Sequence, residues 1–350
     1  MKFAAYAMPS FCPELGLTHE AFMRTLVDHL ASAEELGFDS VWANEHHFSP
    51  FGGMTPALPV LLAALSQRTS RVRLGTSVLV LALHHPLQVA EQLAMVDLMS
   101  AGRLEFGVGR GFAVHDYETL GIPYDDAQER MIESLEVVRK AWSGAAFSHR
   151  GQHFQFENIE VWPQPAQRPH PPVWIACSTS AEHFAWTAAQ GYKLLTLAFN
   201  RPIEHLAQLT RVYRDQWTAS GHAVSPTIAT HFHTVVAEDR AEARRIAVAG
   251  LAEHTRLGQE ARSLAMRAIP RAEGVVSSEA LVDEGRLLAG DPEDCVRLLR
   301  QVAGATGFTE AHCMFQFGNI PFGVAQRSME LFAAEVMPRL QGAELASGVS

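Results

Sequence analysis

The sequence predicts an α/β fold, a closed (β/α)8 TIM barrel with insertions at its C-terminal face. Three observations point there. Short apolar runs alternate with amphipathic helical stretches along nearly the whole chain, and eight such strand–helix pairs can be counted. The length, 350 residues, suits one barrel with insertions. No GxGxxG or phosphate loop follows the first strand, as a doubly wound open sheet would lead one to expect. One barrel domain over residues 1–350 is therefore expected.

The elements follow in order. Lys2 to Met8 reads as the first strand. A helix follows from Thr18, suited to an N-cap, to a stop at Gly37, with Phe22, Leu26, Leu30, Ala33 and Leu36 on one face. Asp39 to Asn44 is the second strand, and a helix from about Thr55 has Pro56 in its first turn. Val72 to Leu79 is the third strand; it leads through His84 and His85 to a helix opened by Pro86 and closed by Gly102. Arg103 to Val108 is the fourth. Met131, Leu135, Val138 and Trp142 then share a helix face.

Residues Phe147 to Trp162 alternate around Arg150-Gly151 and read as a hairpin outside the barrel wall. The link Pro163 to Pro172 is too rich in proline for helix or central strand. Strands five to eight are Val173–Ala176, Lys193–Ala198, a run within Pro226–Val236, and Ala311–Phe315. Asp291-Pro292-Glu293 opens the helix before the last strand. Ala325, Met329, Phe332, Val336 and Leu340 line the final helix. Residues 254–289 are long and poorly periodic, and read as an extra helix with a mobile loop over the barrel mouth.

Composition narrows function. Apolar residues make up 47% and charged residues 19%, enough for a sizeable core. The net charge of −10, with no basic run, argues against nucleic-acid binding. Cys12, Cys177, Cys295 and Cys313 are widely spaced, so neither a metal site nor a disulfide framework is expected. With no membrane-length apolar run and no leader pattern, a cytoplasmic setting and no membrane partner are expected.

Chemistry in such a barrel belongs at the C-terminal strand ends, and four clusters fall there. Asn44-Glu45-His46-His47-Phe48 follows strand two; adjacent histidines on a strand diverge, so one metal ion is not expected to bind both. Thr76-Ser77-Val78 ends strand three. Gly107-Val108-Gly109-Arg110-Gly111 ends strand four, where glycines admit close approach and the arginine suits a phosphate. Cys177-Ser178-Thr179-Ser180 precedes a helix and suits either an anion or ordinary N-capping. His231 and His233 share one strand face, toward a pocket or solvent. Asp97, Ser100, Gly102 and Arg103 lie at the opposite end of strand four, the stability face.

The stretches MKFAAYAMPSFCPELG, GFDSVWANEHHFSPFGG, HHPLQVAEQLAMVDLMSAGRLEFGVGRGF and PPVWIACSTSAEHFAWTAAQGY closely resemble the bacterial-luciferase-like flavin monooxygenases, near the luciferase α-subunit group. The resemblance runs to the final MFQFG and VMPRL segments. It implies that His46 is catalytic and that Arg110, with Cys177, Ser178, Thr179 and Ser180, holds the flavin phosphate. It implies a non-proline cis peptide at Ser77-Val78 beneath the flavin ring. His47, Phe48, Phe112, His231 and His233 are assigned to the substrate pocket. Gly109 departs from a reactive cysteine of the luciferase α-subunit, and Cys177 from an acidic residue.

The activity so implied is a two-component monooxygenase. It would use dioxygen and reduced FMN from a separate flavin reductase on a small organic substrate such as an aldehyde or ketone. Alternatives are an F420-dependent dehydrogenase on the same fold and a non-catalytic flavin-binding partner subunit. A homodimer is expected, because Leu58, Val60, Leu61, Leu62 and Leu65 make one helix apolar around more than one face.

Overall fold

Strands with apolar residues on both faces need cover on both, and here a ring of helices supplies it. The structure, a computed structural model, describes residues 1–199, 201–266 and 276–341. β1 (Lys2–Ala7) leads to α1 (His19–Ser32), whose N-cap Thr18 accepts the Ala21 N–H at 3.2 Å. β2 (Ser40–Ala43) precedes α2 (Leu58–Arg68). That helix begins later than the sequence suggested: Pro59, not Pro56, sits in its first turn. The third strand is also broken in two, into β3 (Arg73–Thr76) and β4 (Leu79–Val80), with a cis peptide at Ser77-Val78 between them. α3 (Pro86–Met99) and β5 (Leu104–Gly109) follow.

A short α4 (Val114–Thr119) lies between β5 and α5 (Ala127–Ala141). Met131, Leu135, Val138 and Trp142 are all buried, as their spacing predicts. β6 (Phe147–Arg150) and β7 (Gln155–Ile159) form the expected antiparallel hairpin. The proline-rich link contains cis bonds at Trp162-Pro163 and Arg168-Pro169. Then come β8 (Val173–Ala176), α6 (Ala181–Ala189), β9 (Lys193–Leu197), α7 (Ile203–Ala219) and β10 (Ile228–Val236).

α8 (Arg240–Ser263) is longer than the sequence reading allowed, and takes in the start of the 254–289 segment. α9 (Ser278–Asp283) and the unforeseen β11 (Leu288–Gly290), paired to β10, lie toward its end. The mobile loop expected in that segment falls on residues 267–275, outside the described residues. α10 (Pro292–Thr306), capped by Asp291 as expected, β12 (Glu310–Met314) and α11 (Phe322–Leu331) complete the chain of elements. The last helix continues through a π turn at Phe332–Val336.

The staves β1, β2, β3, β5, β8, β9, β10 and β12 pair in parallel around a closed ring, with β4 continuing the third stave beside β5. This is the (β/α)8 barrel. Among the described residues no helix is long and apolar enough to cross a membrane. The barrel interior is packed, not open. Trp42 and Trp174 meet edge-on at 5.3 Å among Ala4, Leu195 and Ala229. Below them the Glu105 carboxylate accepts from Arg73 and from the Trp174 indole, with Lys193 3.7 Å away.

The leucines of α2 are a correction. Leu58, Leu61, Leu62 and Leu65 are buried within the chain's own packing, and only Val60, 71% exposed, faces outward. The outward apolar surface continues instead on neighbouring α3, at Met95, Leu98 and Met99.

The N-terminal end of the barrel is tied by polar groups, as expected for a stability face. The buried Arg103 guanidinium donates to the carbonyls of Ser66, Thr69, Val72 and Ser100 and to the Thr69 hydroxyl. Asp97 accepts from the Leu104 and Gln167 backbone N–H groups. Arg103→Ala would strip four buried carbonyls of a charged donor. A loss of about 3 kcal/mol of unfolding free energy is expected, read by urea denaturation.

Candidate functional site

Trp42 of β2 points into the barrel, and just past the strand end Asn44 and His46 lie together against Gly52 while Glu45 turns to His47 and His84. The two adjacent histidines therefore part. His46 is buried at the barrel mouth, its ring 5.5 Å from Phe51 and 5.1 Å from Phe112. Gly52, in the left-handed region at φ 68°, lets the backbone pass against it: a Cβ there would stand 2.6 Å from His46 Cδ2. Burial, joined by the neighbouring His47 and opposed by Glu45, brings His46 down to about 4. The imidazole is thus neutral at physiological pH.

Glu45 Oε1 accepts from Nε2 of His47 at 2.6 Å and of His84 at 2.7 Å, and Oε2 accepts the Val80 N–H at 3.0 Å. Burial alone would raise this carboxyl; the two histidine hydrogen bonds hold it at about 2. His47 is raised by the same contact, against the effect of its own burial. The three donor atoms lie within 4.8 Å, a spacing that suits a divalent cation. The carboxylate oxygen is nevertheless already shared by both imidazoles, which gives a complete hydrogen-bonded triad without one.

Ser77 and Val78 sit at the break between β3 and β4, facing the interior. Ser77 Oγ lies 2.9 Å from His231 Nε2, and the His231 ring stacks on Tyr6 at 4.4 Å. Across from them the wall is made of small groups. A Cβ on Gly109 would stand 2.8 Å from Val78 Cγ2 and 3.4 Å from the Ala176 Cβ, so only glycine keeps this surface flat.

Arg110, at the end of β5, is exposed, and its guanidinium lies 5.3 Å from the Tyr124 ring. The Tyr117 hydroxyl donates to the Arg110 carbonyl and fixes the turn. Ser178 and Thr179 are exposed just before α6. Ser180 is its N-cap, accepting the His183 N–H at 3.3 Å. The Cys177 sulfur turns the other way: it is buried 3.3 Å from Thr187 Oγ1, and burial pushes the thiol up to about 12.

Phe112 and His46 border a small cleft of about 20 Å³, with Phe51, Asp116 and Arg262. Burial raises Asp116 to about 6, against the pull of His47. Phe48 is at the rim, 51% exposed and at φ 54°. His233 lies deeper, 4.8 Å from Phe199 and from Phe317. The mouth therefore gathers His46, Phe112, His231, His233, Ser77 and Val78, while His47 belongs to the Glu45 triad behind it.

Sequence reasoning missed Tyr6, Phe51, Asp116 and His254. Only His254 left a signal. Ala243, Ala247, Gly250, Leu251, His254 and Leu257 are the buried face of α8, and their spacing of three or four continues through the segment read as irregular.

The residues fit a planar ring with an anionic tail. Gly109 leaves room between Val78 and Ala176, and the exposed Arg110, Ser178 and Thr179 follow in the chain at the ends of the same strands. The chain is similar to the oxygenase component of the flavin-dependent trigonelline monooxygenase of Acinetobacter baylyi (28% identity, 65% of this chain and 63% of that protein). It is also similar to the F420-dependent glucose-6-phosphate dehydrogenase of Amycolatopsis mediterranei (31%, 49% of this chain and 56% of that protein). Three curated relatives, 36%, 30% and 28% identical, are matched over 59%, 55% and 63% of their own lengths. The crystal structure of the monooxygenase RslO1 from Streptomyces bottropensis superposes with a TM-score of 0.88 at 28% identity, covering 97% of this chain and 99% of that one. The model of the luciferase-like monooxygenases matches residues 1–310, and with the barrel and its mouth this shows that the chain belongs to that family.

Proposed function

We propose that the chain is the oxygenating component of a two-component FMN-dependent monooxygenase, acting on a small organic substrate with dioxygen and with reduced FMN supplied by a separate reductase. One juxtaposition carries this reading: a neutral buried His46 stands at the same mouth as the flat Val78–Gly109–Ala176 wall and the Arg110–Ser178–Thr179 edge. Reduced flavin, when bound, supplies the electron pair that activates dioxygen. The wall would take the ring, and Arg110 with Ser178 and Thr179 would hold the phosphate. His46, neutral, can accept a proton from the reacting centre or donate its N–H to an oxygen there. The buried Phe51 beside it shields the ring from water.

The F420-dependent relative keeps a second reading open, hydride transfer from a reduced deazaflavin with no oxygen used. Oxygen uptake and product analysis with reduced FMN and a panel of aldehydes and ketones separates the two. Substrate-dependent incorporation of dioxygen supports the monooxygenase; consumption of reduced F420 under anaerobic conditions supports the other.

Arg110→Ala is expected to weaken reduced FMN binding roughly tenfold to hundredfold by loss of a charge-assisted contact. Unchanged affinity in an anaerobic titration removes Arg110 from the phosphate site.

His46→Ala is expected to fold normally and to shift the output from oxygenated product toward hydrogen peroxide. The pH profile follows from burial. His46 stays neutral until pH falls to about 4, so it adds no titration between pH 8 and 6; a change of coupling in that range belongs to Asp116, raised to about 6, or to His47, also raised. A drop below about pH 5 in the wild type that is absent from His46→Ala is the expected mark of His46, and the same profile in both would remove it.

A homodimer built on the outward faces of α2 and α3 is part of the same proposal, with Val60, Met95 and Leu98 in the contact. Val60→Asp combined with Met95→Lys is expected to convert the dimer to monomer in sedimentation. A monomeric wild type at micromolar concentration ends this part of the reading.

A further inference from the structure

Two of the three histidines facing the mouth from β10 and α8 have no partner that accounts for them. His231 is explained: it stacks on Tyr6 and bonds Ser77. His233 is not. It is 9% exposed, its Nε2 is buried without a hydrogen-bond partner, and its ring is packed by Phe199, Phe317 and His254 at 4.8–4.9 Å. His254, reaching in from α8, is 6% exposed and leaves Nδ1 buried and unpaired. It packs on Phe51 at 4.9 Å, and Phe51 in turn packs on His46. Asn44, on the same inward face as His46, leaves both amide atoms buried and unpaired.

A buried polar atom without a partner costs about 1–3 kcal/mol. His233, His254, Phe51 and His46 are linked ring to ring, and Asn44 lies with His46 against Gly52. Burial holds both imidazoles below the ordinary histidine value, so each is neutral and offers one donor and one acceptor. An unbranched aliphatic aldehyde brings one carbonyl acceptor and no donor, so it would leave the Asn44 amide oxygen and the groups beyond reach of its single oxygen unpaired. A ring carrying oxygen atoms pairs them and lays its faces against Phe51, Phe199 and Phe317.

We infer that His233, His254 and Asn44 form a polar subsite for the organic substrate, and that it selects an aromatic ring bearing hydroxyl or carbonyl oxygens over an unbranched aliphatic aldehyde. The inference rests on the monooxygenase reading for what happens to the ring, but its recognition step stands apart from the flavin. The test therefore measures binding, not turnover. Calorimetric titration of the full chain with 2-naphthol and with n-decanal gives the selectivity, and a separate FMN titration on the same samples reports the cofactor site.

The wild type should bind 2-naphthol at least about tenfold more tightly than n-decanal. His233→Phe with His254→Phe should weaken 2-naphthol by about tenfold or more and leave FMN affinity unchanged. His254→Gln, which keeps a hydrogen-bonding group, should retain most of the wild-type affinity. Equal or tighter binding of n-decanal, no binding of 2-naphthol, or a double variant that binds it as the wild type does would each overturn the subsite. If the double variant does not fold, the wild-type selectivity and the glutamine variant decide. Loss of FMN binding in the wild type would count against the flavin reading alone.

Discussion

The two-residue repeat of a closed parallel ring governs this molecule. Once β9 pairs with β10 the sheet has no edge there, and each stave must send alternate side chains into an interior that holds only a few large ones. Trp42 and Trp174 fill the middle of it. Residues two and four beyond Trp42 then have no choice of direction: Asn44 and His46 point into the mouth. The same rule carries Ser77 inward after Arg73 and Gly75, and His233 inward after Ala229 and His231. A slip of one residue in β2 would present Glu45 and His47 to the mouth and bury His46 against the helices.

Direction then sets charge. His46 and Glu45 are neighbours in sequence, and both are buried, yet their protonation differs. His46 has aromatic neighbours and no carboxylate bonded to it, so burial acts unopposed enough to keep it neutral. Glu45 is met by two imidazoles and a backbone N–H, and these outweigh its burial. Its negative charge is retained on the helix side of the strand, where it orients His47 and His84. One dipeptide thus supplies a neutral imidazole inside and an anchored ion outside.

The barrel was legible because its signals are local: caps at Thr18 and Asp291, apolar stripes on α1 and α5, the hairpin around Arg150-Gly151. Alternation, also local, parted His46 from His47, but the choice of His46, Ser77 and Val78 for the mouth came from the family resemblance, and alternation left His231 and His233 between pocket and solvent. The break after Thr76 was not visible in the apolar pattern of residues 72–79, and only the family resemblance pointed to it. The leucines of α2 misled because a helix seated between two neighbours in the outer ring buries a broader arc than a single stripe. His254 was missed because its partners, Phe51 and His233, are some 200 and 21 positions away in the chain, and no local pattern encodes that meeting.

Buried polar atoms are paired unequally around the barrel. At the N-terminal end Arg103, Asp97 and Glu105 are saturated with partners from the chain itself, while Gln164 Oε1 and Arg214 Nε are not. Higher up, saturation fails. His312 comes only within 3.8 Å of Glu310, and above it Asn44, His233 and His254 leave atoms unpaired. A fold selected for stability alone would have filled such positions with apolar groups of similar size. In the subsite proposed above, the free energy left uncollected on folding would be available to a ligand on binding.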